Sequence, residues 1–183
     1  MKENEIKIGD QTWTSKNLNV TTYRNGDVIP QMKYAIEWES LTTGAWCYYE
    51  NGSDNGTIYG KLYNWYAVND PRGLAPKGYH IPTDAEWTIL TDKLGDKAGT
   101  KMKSTSGWDN GNGTNSSGFA GLPGGYRKYS GNGCYIGTYG NWWSSSEYNT
   151  DYAWLRFLGY NFGDVERDYG FKRNGFSVRC LRD

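Results

Sequence analysis

The run Ala153-Trp154-Leu155-Arg156-Phe157-Leu158-Gly159-Tyr160 constrains the fold more than any other segment. In an extended chain successive side chains point to opposite faces. Trp154, Arg156, Leu158 and Tyr160 then share one face, and Leu155, Phe157 and Gly159 the other. The run is a strand, and the whole stretch from Gly124 to Cys180 reads as strand and turn. Short runs of Tyr, Asn, Asp, Gly and Phe stand around it, at Tyr148 to Tyr152, Asn161 to Asp164 and Asp168 to Phe171. Binding loops use that composition, because rigid amphipathic rings supply contact area and small polar groups supply adaptable hydrogen bonds. Two readings follow from the pattern: a recognition module, and an ordinary antiparallel sheet with aromatic-rich turns.

Such a sheet needs a core, and aliphatic residues are sparse. The chain has 16 Tyr and 9 Trp, so the core is expected to be built from large rings. That aromatic content argues against disorder. Twenty-five glycines imply many turns. A length of 183 residues fits one domain, 1–183. Twenty basic and 20 acidic residues give no net charge. With no long Lys/Arg run either, this argues against a general nucleic-acid binder and against electrostatic attachment to an anionic membrane. No apolar run is long enough to span or insert into a membrane. Met1 to Glu5 are followed by no apolar stretch, so they are not a signal peptide. Cys47, Cys134 and Cys180 lack CxxC spacing, which disfavours a zinc ribbon. One disulfide with a free thiol and three buried free thiols both fit the count.

Local signals predict a hairpin over Ile6 to Trp13 around Gly9-Asp10, an extended piece over Asn17 to Thr22, and a tight turn at Asn25-Gly26. Ala45 to Tyr49 reads as a strand and Glu50 to Gly56 as a polar loop. Tyr59, Leu62, Tyr63, Tyr66 and Ala67 have helical spacing, which predicts a helix over 59–68. A second helix starts at the capping box Thr83 and Glu86, carries Trp87, Leu90 and Leu94 on one face, and stops at Gly95. Lys97 to Gly118 reads as a long surface loop. Its segment Asp109 to Asn115 is rich in oxygen ligands but lacks the EF-hand spacing. A structural calcium there and a plain Asn/Gly turn cluster remain as alternatives, and no other cofactor is expected.

Several segments together resemble one family. They are Ile8-Gly9-Asp10-Gln11-Thr12-Trp13, Asn17-Leu18-Asn19-Val20, Gly44-Ala45-Trp46-Cys47-Tyr48-Tyr49 and the run Ile58 to Val68. They continue with Ala75 to Trp87, Leu122-Pro123-Gly124-Gly125-Tyr126-Arg127, Trp142-Trp143-Ser144-Ser145-Ser146-Glu147 and Gly175-Phe176-Ser177-Val178-Arg179-Cys180. The chain is thereby similar to the Fibrobacter succinogenes major paralogous domain family over nearly its whole length. The resemblance implies an α+β, C-type lectin-like fold related to the formylglycine-generating enzyme. In it two helices pack on a small twisted antiparallel sheet with long irregular loops. It further implies an extracellular, cell-surface or phage-particle setting, and a cell-surface or viral protein or glycan as partner.

Some members of such families are targets of diversity-generating retroelements, in which a reverse transcriptase randomises adenines in a copied template. The resemblance then implies a variable region over 124–180. Template Asn codons yield many residue types, but not Lys, Glu, Gln, Met or Trp. Tyr148, Asn149, Thr150, Asp151, Tyr152, Leu155, Phe157, Gly159, Asn161, Phe162, Asp164, Asp168, Tyr169, Phe171, Arg173 and Asn174 all belong to the reachable set. They are the candidate ligand-binding residues. Gly163 and Gly170 are reachable too, and Glu166 is not. Trp142, Trp143, Trp154, Glu147 and Lys172, with Phe176 and Val178, are expected to form the fixed frame. Leu155, Phe157, Tyr148, Tyr152, Tyr169 and Phe171 would be anchors, and Asn149, Asp151, Asn161, Asp164 and Asp168 would set polarity.

Enzyme readings are weaker. A formylglycine-generating oxidase uses two cysteines close in sequence near the C-terminus, and only Cys180 stands there. His80 is the sole histidine, which excludes a multi-His metal centre. Ser144-Ser145-Ser146 lacks the frame of a hydrolase elbow. Glu37 and Glu39 have no evident carboxylate partner, because Glu86 is accounted for by capping. The Glu-Pro-Asn type motifs of calcium-dependent lectins are absent, while calcium-free binding of a sugar or a protein stays open.

Overall fold

A computed structural model describes residues 5–183, so the reading of the first residues, Met1 to Asn4, lies outside it. Gly9, at φ +60°, turns the chain between β1 (Glu5–Ile8) and β2 (Gln11–Thr14), which pair antiparallel as the hairpin reading requires. Asn17 to Thr22 carries no regular strand. The Asn25-Gly26 turn is flanked by a single bridge, Thr22 to Val28. There follow α1 (Ala35–Glu39), β3 (Trp46–Cys47), a 3-10 turn (Tyr49–Asn51), α2 (Ser53–Tyr59), β4 (Leu62–Tyr63) and α3 (Trp65–Val68). Then come β5 (Tyr79–His80), α4 (Asp84–Leu94) and α5 (Ala98–Met102). The last third is β6 (Gly124–Arg127), β7 (Gly133–Ile136), β8 (Tyr139–Glu147), β9 (Tyr152–Gly159), β10 (Glu166–Phe171) and β11 (Leu181–Arg182).

The mixed helix-and-strand class is as expected, but two of its details are corrected. Five short helices form among the described residues rather than two, and the sheets are larger than one small sheet. The five-stranded sheet runs β10-β9-β8-β6-β7, a four-stranded sheet runs β1-β2-β11-β5, and β3 pairs with β4. Between these strands pairing is antiparallel except where β6 meets β8 at Gly125 and Gly140. The helix expected over 59–68 is broken, because Gly60 adopts φ +77° where a Cβ would stand 3.1 Å from the Leu18 carbonyl oxygen. Leu62 and Tyr63 instead pair with Cys47 and Trp46. The polar loop over 50–56 is the 3-10 turn and most of α2. The expected loop from Lys97 contains α5, and its Trp108 is buried, donating its indole N–H to Ser104 Oγ at 3.0 Å.

Helix α4 forms as its signals require. Thr83 Oγ1 accepts from the Glu86 N–H at 3.2 Å, and Glu86 Oε2 accepts from the Thr83 N–H at 2.8 Å. Trp142 and Trp143, adjacent on β8, must face opposite sides. Trp142 packs with Trp13, Trp87 and Phe119, with ring centroids 5.5 Å apart at Phe119. Trp143 packs on Phe176, centroids 4.3 Å apart, in a separate cluster with Leu155 and Val178. Buried indoles need acceptors. Trp143 donates to the Tyr63 carbonyl at 2.8 Å, Trp65 to Ser144 at 2.9 Å, and Trp142 to Asn17 Oδ1 at 2.8 Å. The rings thereby tie irregular backbone to the sheet, which is how a glycine-rich chain with few aliphatics builds a core. Cys47 and Cys180 are buried and Cys134 half-buried, all as free thiols. Burial pushes the Cys47 thiol up to about 11 and that of Cys180 to about 12.

Candidate functional site

The β9–β10 ribbon at the edge of the five-stranded sheet presents two chemically different faces. Register places Tyr169 opposite Trp154 and Phe171 opposite Tyr152 on one face, and Asp168 opposite Leu155 on the other. A tight turn precedes β9. Asn149 Oδ1 accepts from the Asp151 and Tyr152 N–H groups, each at 3.0 Å, so this side chain builds the turn. Two residues expected in the frame brace it: Lys172 is buried, pairs with Glu147, and donates to the Thr150 carbonyl at 2.7 Å.

On the first face the rings form a continuous ridge. Tyr148 stacks on Tyr169 at 4.3 Å with planes 4° apart, and meets Trp154 edge-on at 4.8 Å. Tyr152 lies 4.4 Å from Phe171, which lies 4.7 Å from Tyr129. Tyr148 and Tyr169 are each 45% exposed. The Arg167 guanidinium stacks 3.4 Å over Trp154 and bonds to Asp84. Asp84 also receives Arg156, at 2.6 Å. Burial works to raise the Asp84 carboxyl, but Arg167 and Arg156 outweigh it and hold it below the usual carboxylate range.

The second face carries a cleft of about 310 Å3, lined by Tyr126, Tyr135, Tyr139, Asn141, Leu155, Phe157, Asp168, Tyr169, Gly170, Asn174 and Phe176. Tyr139 meets Tyr135 at 5.3 Å and Phe157 at 5.9 Å, both edge-to-face. Burial pushes the Tyr126 phenol up to about 12. Asn141 is only 6% exposed and its Nδ2 has no partner among the described residues. Asp168 Oδ1 accepts from the Tyr169 N–H at 2.8 Å.

The candidate residues therefore divide between places and do not form one patch. Tyr148, Tyr152, Tyr169 and Phe171 meet on the ridge. Phe157 and Asp168 meet at the cleft. Leu155 is no exposed anchor: at 4% exposure it floors the cleft and belongs to the core with Trp143. Gly159 is buried under the Phe162 ring, and Asn174 is buried with Oδ1 accepting from the Tyr129 N–H at 2.8 Å. Asn161 and Asp164 are exposed away from both faces, Asp164 lining a cavity with Thr91 and Ala98. Asp151 and Arg173 line another cavity with Tyr66, and Arg173 donates to the Glu39 carbonyl at 2.7 Å. Trp154, expected in the fixed frame, is half-buried and joins the ridge. Tyr126, Tyr129, Tyr135, Tyr139 and Asn141 were not among the candidates. Their signal was the Tyr and Gly alternation between Gly124 and Asn141.

In the Asp109 to Asn115 segment the oxygens serve the protein itself. Asp109 accepts from Thr138 Oγ1 at 3.1 Å, Asn112 Oδ1 from the Trp108 N–H at 3.1 Å, and Asn115 Oδ1 from the Ala120 N–H at 2.7 Å. Among the described residues no three His, Cys, Asp or Glu side chains converge as a metal site. His80 bridges Glu86 at 2.9 Å and Asp183 at 2.8 Å. No helix among the described residues is long and apolar enough to cross a membrane.

The sequence model of the Fibrobacter succinogenes major domain matches residues 6–182. No curated protein and no solved structure matches the chain.

Proposed function

The chain belongs to the Fibrobacter succinogenes major domain family, and we propose that it is a noncovalent ligand-binding domain of the receptor or adhesin type. The observation that carries this reading is the aromatic ridge. Tyr148 and Tyr169 stand half in solvent on a rigid ribbon, stacked on each other and bracketed by Trp154, Tyr152 and Phe171. Rings held this way lose little entropy on binding, which is the property of interface hot spots. The partner is a protein or glycan of a cell or viral surface, met outside the cell or on a phage particle, and neither metal nor bond-making chemistry is required. A C-type lectin-like variant is the fold that goes with this reading. The pairing of the last strand, β11, with β2 around a long irregular middle supports it.

Of the ridge rings, Tyr148, Tyr152, Tyr169 and Phe171 belong to the set that adenine randomisation can reach, while Trp154 in the ridge and Trp142, Trp143, Glu147 and Lys172 of the expected frame do not. This supports a retroelement-diversified surface within 124–180. Sequencing downstream of the gene tests it. A near-copy of the Gly124 to Cys180 coding segment, differing mainly at adenines and lying beside a reverse transcriptase gene, is the expected result. No such copy would leave a domain with one fixed ligand.

A further inference from the structure

We infer that the cleft on the second face of the β9–β10 ribbon is a metal-independent binding site for a neutral pyranose ring. The inference rests on the ligand-binding reading and names the ligand class of its second face. The walls are rings, three pairs of them at steep angles, Tyr135 to Tyr139 at 76°, Tyr139 to Phe157 at 83° and Tyr126 to Phe176 at 71°, while Tyr126 and Tyr135 stack at 29°. Such walls offer flat apolar contact to a ring that carries C–H groups on its faces.

The polar groups then select among flat ligands. Asn141 brings a buried amide N–H without a partner, a donor that an incoming oxygen would satisfy. Asn174 spends its Oδ1 on Tyr129, which leaves its amide nitrogen as a second donor. Among the described residues Asp168 has only the neighbouring backbone N–H as a partner, so its remaining lone pairs can accept. A sugar hydroxyl both donates and accepts, and a pyranose places several hydroxyls around its rim. An anion does not fit, because Asp168 faces the cleft and, among the described residues, no Lys or Arg lines it. An organic cation would suit Asp168 and the ring faces, but it would leave both amide donors without acceptors. Lys128 Nζ also already stands 6.0 Å from the Tyr135 ring centre. One carboxylate is too few oxygen ligands for calcium. A cavity of about 310 Å3 lies at the small end of ligand sites, roughly 300–1,000 Å3, so it suits one ring better than a chain.

The test titrates the full chain, in EDTA, with methyl pyranosides of glucose, galactose, mannose and N-acetylglucosamine, followed by NMR shifts. Tetramethylammonium serves as the cation probe. The expected result is a saturable response to at least one pyranoside. Tyr139→Ala or Asp168→Ala should weaken it by about tenfold or more, the scale of one lost polar or ring contact. Lys77→Ala, at an exposed residue outside the cleft lining and the ridge, should leave it unchanged. Asp168 is exposed on an edge strand, so its variant carries the test if Tyr139→Ala fails to fold. No saturable response to any pyranoside, a response only to tetramethylammonium, or a pyranoside response surviving Asp168→Ala would each overturn the inference. Its failure is separable from that of the diversified-surface reading, because the template search is blind to sugars. A template with no pyranoside binding removes only the sugar site.

Discussion

At the scale of single residues, the most informative group is the Asp84 carboxylate, because it holds two arginines in different surroundings. The Arg156 side chain is 3% exposed and that of Arg167 is 47% exposed. Removing the carboxylate strands a buried charge, so Asp84→Ala should cost about 3 kcal/mol or more. Arg167→Ala removes a surface partner and a stacking contact on Trp154, and should cost about 1 kcal/mol or less. Urea midpoints of the two variants check this, and equal losses would refute the asymmetry. His80 offers a pH test. Burial disfavours its charge, but hydrogen bonds to Asp183 and Glu86 outweigh burial and the ring titrates above its ordinary value. Its contribution is therefore fully present below the unfolded value of about 6.5 and is lost as pH rises through the higher folded value. Denaturation midpoints should fall across that interval, and His80→Gln, which removes the only imidazole, should flatten the decline.

At the scale of elements, what could be read from the chain depended on whether the determining contacts are local. Helix α4 was legible because its cap, its apolar face and its glycine stop lie within 13 residues, from Thr83 to Gly95. The β1–β2 hairpin was legible for the same reason. The region 59–68 was not, because its periodicity is equally served by an alternative seen only in three dimensions. Leu62 and Tyr63 find Cys47 and Trp46 across a two-stranded pair, and Lys61 N–H finds the Leu18 carbonyl at 3.3 Å. Gly60 is the switch, at φ +77° and ψ −156°, a region open almost only to glycine. Gly60→Ala should therefore not extend a helix through 59–68. It should destabilise the fold by about 1–3 kcal/mol, read as a lowered urea midpoint with unchanged far-ultraviolet helix content. A gain in helix signal would restore the local reading.

At the scale of the whole molecule, the candidate site was legible as a composition and only partly as a place. The runs around Tyr148 and Tyr169 do converge, since a hairpin brings neighbours in sequence together. The cleft on the other face was missed, because Tyr126 and Tyr135 approach Phe157 only once β6 and β7 dock on the far side of β8. Leu155 was misplaced because alternation says which residues share a face and not which face is covered. That difference separates two classes of position in one region, and a binding surface that changes while its scaffold persists requires both. Tyr148→Ser and Tyr169→Ser lose half-exposed stacking and should each cost about 1 kcal/mol or less, and Asn161→Ser, on the surface, about 0.5 kcal/mol or less. Leu155→Ala opens a hole against Trp143 and should cost about 2–5 kcal/mol. Thermal melts of these four variants measure the separation directly. A ridge as costly to alter as Leu155 would mean that its rings serve the core, and the diversified surface would then have nowhere to stand.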